Sequence, residues 1–135
     1  EEVVWSWGQG EVRGPHCASV LENGNVLLFD NRLGEGWSRV VELDPLARKI
    51  VWEWRAPNPT DFYTKSRGSA QRLPNGNTLV AESDRGHAFE VTRSGDVVWD
   101  WWNPHRDAAG HPATIIRMQR HPPEQIEPLL RRPGS

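Results

Sequence analysis

The sequence predicts an all-β fold of β-propeller blades, each a four-stranded antiparallel sheet, in a partial propeller with about two complete blades. Three observations predict it: an Asn-Gly pair with apolar flanks occurs twice, a Trp-x-Trp segment occurs three times, and each repeat holds four strand-like segments. Trp5, Trp52 and Trp99 are 47 residues apart (52 − 5 and 99 − 52). Four strands in a unit of about that size are typical of a propeller blade.

The two Asn-Gly pairs predict the first two strands of each blade. The first pair lies at residues 23 and 24, between Val20–Leu21 and Val26–Phe29. The second lies at residues 75 and 76, between similar apolar flanks. A type I′ turn needs a positive φ at both central residues, which Asn and Gly tolerate best. We therefore expect a type I′ hairpin in each blade.

The outer two strands of each blade follow these hairpins. In the first blade, Ser38–Asp44 leads through a turn to Ile50–Trp54. In the second, Gly86–Thr92 leads through a Ser-Gly turn to Val97–Trp101. Val3–Trp7 has the pattern of the last strand, so we interpret it as the outer strand of a preceding blade.

The paired tryptophans predict how neighbouring blades pack. Residues two apart in a strand share a face, so Trp52 and Trp54 project together, as do Trp99 and Trp101. Each large aromatic side chain buries roughly 150–250 Å², and we expect each pair to cover the neighbouring blade. Propellers close with about four to eight blades. We therefore expect the chain to be the C-terminal part of a longer propeller, or to close by self-association.

The repeat divides the chain into four parts. Residues 1–8 hold the outer strand of a preceding blade, 9–58 and 59–104 are one blade each, and 105–135 are a C-terminal strand and tail. In the last part, Thr114–Arg120 is a candidate strand and Gln125–Leu130 a candidate helical turn.

Composition argues against several kinds of partner and site. The formal net charge is −2 with both signs interspersed, so neither nucleic acid nor a membrane is expected as a partner. The single cysteine, Cys17, excludes an internal disulfide, and we expect it to be a small buried residue. No phosphate-binding or dinucleotide motif is present, so no cofactor is predicted. The spacing of His105 and His111 does not suit a metal-binding pair, so no metal site is predicted.

Six segments carry a family resemblance: Gly14–Ser19, Leu27–Asn31, Ser38–Pro45, Ile50–Trp54, Ser69–Leu79 and Phe89–Pro104. Together they resemble the arylsulfotransferase (ASST) family of β-propellers, here its C-terminal blades, over most of residues 3–104. It implies a bacterial, commonly periplasmic or exported transferase with a six-bladed ring. Its enzymes move a sulfuryl group from a phenolic sulfate to a phenol through a transiently sulfated histidine, with further His and Arg side chains on the sulfuryl oxygens.

Strand direction places the candidate site. The loops that join blades, and the loop between the middle strands of each blade, lie at one end, which we call the wide end. His16 begins an innermost strand there, so we predict it as the catalytic nucleophile. Arg32 and Arg39, on the adjacent loop, are predicted to bind sulfuryl oxygens, because a guanidinium matches a pair of oxyanion acceptors.

The second blade offers weaker candidates. Its position equivalent to His16 is Gly68, by the hairpin register (74 − 22 = 52). Arg67, Arg85 and His87 are nevertheless candidates for anion binding at the same wide end. Solvated loop charges, and for His87 a polar edge residue, are the alternative interpretations.

Other readings of the chain stay open at this point. One is a propeller that serves as a scaffold without catalysis. Another is a carbohydrate-binding module that uses Trp37, Phe62 and Tyr63 as exposed aromatics. Asp30 and Glu82 occupy matching positions in the two blades (82 − 30 = 52), which predicts hydrogen bonds to backbone or arginine rather than catalysis.

Overall fold

The computed structural model describes residues 2–131 of the 135. It is mostly β, with two four-stranded antiparallel sheets, and is consistent with part of a propeller. The first sheet contains β1 (Pro15–Val20), β2 (Val26–Asp30), β3 (Arg39–Asp44) and β4 (Lys49–Trp54). The second contains β5 (Ser69–Arg72), β6 (Thr78–Glu82), β7 (His87–Val91) and β8 (Val97–Trp102). One helix, α1 (Pro123–Leu130), follows.

Each sheet is a simple meander in which consecutive strands pair antiparallel. In the first sheet, Pro15 pairs with Asp30, which in turn pairs with Arg39. These three residues therefore lie side by side at the wide end. The innermost strand, β1, is irregular, because a bulge interrupts its pairing between His16 and Ser19.

The Asn-Gly hairpins are present, but the predicted type I′ turn is wrong. Gly24 and Gly76 have φ values of +84° and +86°, whereas Asn23 and Asn75 are not in the positive-φ region. Asn23 uses its side chain instead. Its Oδ1 accepts the backbone N–H two residues on at 3.0 Å, and its amide donates to Glu42 at 3.4 Å. Local side-chain hydrogen bonds, not a left-handed backbone, explain asparagine here.

The tryptophan pair of β4 joins the two sheets, which confirms the predicted packing. Trp52 Nε1 donates to the carbonyl of Arg93 at 3.0 Å, and Trp54 Nε1 donates to that of Gly95 at 3.1 Å. The guanidinium groups of Arg72 and Arg93 lie 4.7 and 5.5 Å from the centroid of the Trp52 ring. All of these partners belong to the second sheet or its β7–β8 turn, so the two indoles cover that sheet's face.

The hydrophobic core lies between the sheets and contains a cluster of four aromatic side chains. Phe62, from the loop after β4, packs against Phe29, Trp54 and Phe89 with ring centroids 5.5, 5.0 and 5.6 Å away. Gly68, directly before β5, completes this contact. Its φ is +89°, and a Cβ there would lie 2.7 Å from the Phe29 ring, so only glycine lets the two sheets approach this closely.

The predicted strand at Val3–Trp7 is wrong, because within residues 2–131 no strand lies beside it to share backbone hydrogen bonds. Its tryptophan still docks as the repeat predicts. Trp7 Nε1 donates to the carbonyl of Arg48 at 3.2 Å. Arg48 lies 47 residues before Gly95 (95 − 48), so this contact repeats the one between Trp54 and Gly95.

The predicted strand at Thr114–Arg120 is also wrong, and the reason is similar. The Gln71 side chain of β5 bonds both backbone groups of Arg120, at 2.9 Å from Nε2 and 2.8 Å to Oε1. Side-chain bonds thus take the place of a backbone ladder. The helical turn predicted at Gln125–Leu130 is confirmed within α1. No helix in the described part of the chain has the length and apolar character needed to cross a membrane.

Segment 114–120 nevertheless lies where the innermost strand of a next sheet would lie. Arg120 bonds Glu90 of β7 and stacks 5.4 Å over Trp99. Arg72 of β5 makes the equivalent contacts with the first sheet: its guanidinium bonds Glu42 at 2.8 Å and stacks on Trp52. The packing between sheets is therefore repeated a second time by a segment without strand partners.

Two buried glutamates hold these contacts together. Glu42 and Glu90 are 2% and 5% exposed, and each bonds two asparagine amides of its own hairpin turn. Burial by itself would raise the pKa of both carboxyls. The hydrogen bonds from asparagine and from Arg93 or Arg120 outweigh burial and lower the pKa of both below the usual 4.5.

We expect the fold to lose stability as the pH falls below about 4.5. A carboxyl whose pKa is lower in the folded state stabilises the fold above its unfolded pKa, and this contribution disappears as the folded group takes up a proton. Urea unfolding at a series of pH values measures the effect. Glu42→Gln is expected to flatten this part of the profile, whereas Glu124→Gln, on the exposed face of α1, is expected to leave it unchanged. A Glu42→Gln profile identical to that of the unaltered chain would contradict the assignment.

Candidate functional site

His16 is the second residue of β1 and lies exposed at the wide end. Its Nδ1 is 3.0 Å from the carbonyl oxygen of Gly14 and 2.8 Å from Oδ1 of Asn31. A carbonyl oxygen only accepts hydrogen bonds, so Nδ1 must carry the proton. With the proton of a neutral ring on Nδ1, the free electron pair is on Nε2, for which the described residues provide no hydrogen-bond partner.

Asn31 sets this tautomer and was not singled out from the sequence. It is fully buried directly after β2. Its Nδ2 donates to the carbonyls of Thr64 and Arg67 at 2.8 and 3.0 Å. With both amide hydrogens in use, Oδ1 is left to accept the proton of His16 Nδ1.

The second sheet repeats the positions of this pair but not its chemistry. His16 pairs with Phe29, and Ser69 pairs with the equivalent Ala81 (81 − 29 = 52), so the bulge in β1 makes Ser69, not Gly68, the structural counterpart of His16. Ser83 stands where Asn31 stands (83 − 31 = 52), and it accepts the backbone N–H of Gly68 at 2.9 Å. The repeat thus carries serine in the second sheet where the first has His16 and Asn31.

The backbone of Arg67 lies beside the His16–Asn31 pair. Its carbonyl and His16 Nδ1 bond the same Asn31 carboxamide, so the end of the loop before β5 lies beside β1. The Arg67 side chain is exposed, and among residues 2–131 it has no ion pair or hydrogen bond. Its φ of +66° is uncommon for a residue with a side chain.

Arg39 and Arg32 have acidic partners in the structure. Arg39 bonds Asp30 at 2.9 Å, Glu53 at 2.6 Å and the carbonyl of Glu11 at 2.7 Å. Arg32 bonds Glu35 at 2.6 Å and lies 4.9 Å over the Trp37 ring. Burial alone would lower the pKa of Arg39, but its two carboxylate partners raise it. Their predicted binding of sulfuryl oxygens stays a prediction.

His87 and Arg85 are likewise engaged in the second sheet. His87 lies between two carboxylates, with Nδ1 3.1 Å from Glu82 and Nε2 bonded to Asp100. Its ring stacks on Trp102 with centroids 4.0 Å apart. Arg85 bonds the carbonyl of Asp61 at 2.6 Å and lies near the same Glu82. Anion binding by His87 and Arg85 also stays a prediction.

The two carboxylates around His87 change its titration. Burial would lower the pKa of His87, but the hydrogen bonds to Glu82 and Asp100 outweigh burial and raise it above 6.5. The resulting contribution to stability is complete below pH 6.5 and disappears as the pH rises through the raised pKa.

Asp30 and Glu82 have the structural role that their repetition predicted. Asp30 accepts the backbone N–H groups of Arg13 and Arg32 at 2.9 and 3.1 Å, as well as the Arg39 side chain. Glu82 accepts the backbone N–H of Tyr63 at 2.9 Å. Each buried carboxylate thus organises the loop at the wide end of its own sheet.

Two expectations about side-chain exposure were wrong. Phe62, expected as an exposed sugar-binding aromatic, is 2% exposed and lies in the core, because the loop after β4 folds back between the sheets. Trp37 and Tyr63 are half-buried. Cys17, expected to be buried, is half-exposed on the β1 bulge with a φ of +52°, because the bulge interrupts regular alternation.

Comparison with known proteins gives a family and distant structural similarity. No curated protein matches the chain. A crystal structure of a protein of unknown function from Bacteroides caccae matches with a TM-score of 0.49 and 16% identity. The match covers 72% of this chain and 37% of that one. The sequence model of the arylsulfotransferase (ASST) family matches residues 14–104. This match spans more than half of the 135 residues and includes the His16–Asn31 pair, and the chain therefore belongs to the arylsulfotransferase (ASST) family.

Proposed function

We propose that this chain carries the nucleophile of an arylsulfotransferase-type reaction, and that the nucleophile is His16 Nε2. The observation that supports the proposal is the bonding of His16 Nδ1 to two acceptors, Gly14 O and Asn31 Oδ1. A histidine nucleophile needs one nitrogen with a free electron pair and a neighbour that holds the tautomer. His16 meets both requirements and is exposed to a substrate.

The proposed reaction has two displacements at sulfur. The Nε2 electron pair of His16 attacks the sulfur of an aryl sulfate, an N–S bond forms, and the S–O bond to the aryl group breaks as the phenolate leaves with the electron pair. A second phenol, losing its proton to solvent, then attacks the same sulfur. The N–S bond breaks, the electron pair returns to Nε2, and the new aryl sulfate leaves. No cofactor takes part in this scheme.

Arg67 is the proposed ligand of the sulfuryl oxygens. A guanidinium offers two parallel N–H donors that match a pair of oxyanion acceptors. Arg67 is the predicted arginine whose side chain is not bonded to protein within residues 2–131 and whose backbone borders the His16–Asn31 pair. Arg32 and Arg39 lie around the same mouth, where the carboxylates of Glu35, Asp30 and Glu53 compensate their charge.

Trapping the sulfated histidine tests this function. The protein is mixed with p-nitrophenyl sulfate in the absence of an acceptor phenol, quenched at alkaline pH and mapped by mass spectrometry. We expect one sulfated peptide, with the modification on His16, and one equivalent of p-nitrophenolate released. Arg67→Ala is expected to slow this burst by about 10- to 100-fold, since charged hydrogen bonds contribute about 1.5–3 kcal/mol. Lys65→Ala, an exposed cation in the same loop, is the matched control. Sulfation at another residue would refute the assignment.

Completion of the propeller stays a separate proposal. Either further blades of the same protein or another copy of the chain would cover Trp99 and the exposed face of β8. Segment 114–120 already lies where a second copy would place its β1, so a second copy must first displace that segment. Size-exclusion chromatography with light scattering on the 135-residue chain tests the proposal. We expect self-association or poor stability. A compact, stable monomer would count against completion by further blades and against completion by a second copy.

A further inference from the structure

A cation between two carboxylates joins the outer three strands of the first sheet. Asp30 ends β2, Arg39 begins β3, and Glu53 lies on β4. Arg39 bonds Asp30 at 2.9 Å and Glu53 at 2.6 Å. A guanidinium has enough N–H groups to bond both carboxylates at once. It also stays charged at every pH at which a protein folds, so this bridge does not depend on pH.

The second sheet repeats this arrangement with a histidine as the cation. Glu82 ends β6, His87 begins β7, and Asp100 lies on β8. Glu82 and His87 pair directly, as the two equivalent residues of the first sheet do. Asp100 lies 47 residues after Glu53 (100 − 53) and holds the same place on the outermost strand. The repeat thus carries a titratable side chain where the first sheet has a permanent charge.

The contacts of His87 require two protons on its ring. Its Nδ1 lies 3.1 Å from Glu82 and its Nε2 bonds Asp100, and ionised carboxylates only accept hydrogen bonds. A neutral imidazole has one N–H and serves one carboxylate, whereas an imidazolium has two and serves both. The ring also stacks on the indole of Trp102, with centroids 4.0 Å apart, and the face of an indole favours a cation. The observed geometry is therefore that of the protonated ring.

The charged surroundings of His87 indicate which bond is lost with its second proton. Glu82 is 1% exposed, whereas the side chain of Asp100 is 54% exposed. Within residues 2–131 no other carboxylate pairs with the ring, and Arg85 reaches Glu82 and the Trp102 indole without bonding His87. A buried carboxylate without a donor is costly, and an exposed one is solvated. A neutral ring therefore keeps its N–H on Glu82 and releases Asp100 to water.

We propose that His87 is a pH-sensitive latch on the edge strand β8: the imidazolium ties Asp100 to Glu82, and loss of one proton frees Asp100 and loosens the end of β8. β8 pairs with β7 alone, so no second neighbour compensates for the lost bridge. Asn103 follows β8 directly and holds the C-terminal loop through the carbonyl of Ala113, so the loosening extends into that loop. The first sheet has no such switch, because its cation is an arginine. The latch does not depend on the proposed transfer reaction.

Hydrogen exchange of the backbone in residues 97–103, followed by mass spectrometry, measures the latch. Intrinsic exchange depends on pH, so each rate is divided by that of the His87→Arg variant at the same pH, which restores the cation of the first sheet. We expect a ratio close to one well below the pKa of His87. As the pH rises through that pKa, the ratio should rise about three- to tenfold, the effect of one ordinary hydrogen bond. Residues 39–54 of the first sheet should show no such rise.

Asp100→Asn provides a second reference that leaves His87 in place. The exposed amide can turn either its oxygen or its NH₂ group toward Nε2, so it bonds both the protonated and the neutral ring. We expect the exchange ratio of the unaltered chain to Asp100→Asn to rise with pH in the same way. The pKa of His87, followed by NMR of its ring, should fall in this variant. Glu124→Gln, on the exposed face of α1, is the matched control and should change neither measurement. Ratios to both variants that stay constant with pH, or an unchanged pKa of His87 in Asp100→Asn, would overturn the proposal.

Discussion

Replacing His16 by alanine is expected to reduce the release of p-nitrophenol from p-nitrophenyl sulfate, in the presence of phenol, by about 10³-fold or more. Removal of a covalent nucleophile commonly has an effect of that size. The loss should fall on kcat, because the nucleophile acts in the bond-making step. The fold should be retained, because the exposed ring of His16 is not part of the hydrophobic core. His111→Ala, an exposed histidine on the C-terminal loop, is the matched control and should retain activity.

A readout of the tautomer separates chemistry from folding in this experiment. In the unaltered chain, the imidazole nitrogen shifts measured by ¹⁵N NMR should show a protonated Nδ1 and a bare Nε2 on His16. Asn31→Ala removes one acceptor and leaves the carbonyls of Thr64 and Arg67 without their donor. We therefore expect a mixed tautomer and a lower kcat. Activity that survives His16→Ala would refute the nucleophile, and inactivity of the unaltered protein would favour a scaffold role.

Replacing Trp54 by alanine is expected to destabilise the chain by about 3–5 kcal/mol, as large aromatic truncations in cores do. Trp54 is 8% exposed, packs on Phe62 and Phe89, and donates its indole N–H to Gly95 across the sheet interface. The substitution removes both the apolar contact and the hydrogen bond. Urea unfolding followed by circular dichroism measures the loss.

Trp101→Ala is the matched control for this prediction. Trp101 holds the same repeat position on β8 (101 − 54 = 47) but is only half-buried, with no complete sheet packed against it. We expect a loss of about 1 kcal/mol, near the centre of the range for ordinary substitutions. Equal losses for the two variants would show that Trp54 stabilises its own sheet and not the interface between sheets.

Local pattern determined most of the strands and the sites of the turns. Short runs of apolar and aromatic residues such as Val26–Asp30 and Val97–Trp102, each next to a turn, indicate a strand, because the pattern depends on residues that are neighbours in sequence. The two indoles of β4 were predictable for the same reason: residues two apart share a face wherever the strand is placed. Cases such as Val3–Trp7 failed, because a strand also needs a partner that local pattern does not supply.

The tertiary structure alone decided what the side chains at the wide end do. His16 meets Asn31 15 residues away, and Asn31 in turn meets Arg67, 36 residues further on. Which arginine stays unpaired likewise depends on carboxylates brought from other strands, as Glu53 is brought to Arg39. By itself the sequence determined the repeat, most of its strands and the tryptophan pair that joins the two sheets, since these follow from short-range periodicity. The tertiary structure decided the hydrogen-bond partners of His16, the carboxylates that compensate each arginine and the burial of residues such as Phe62. These depend on distances between chain segments, which are set only when the sheets have folded and packed.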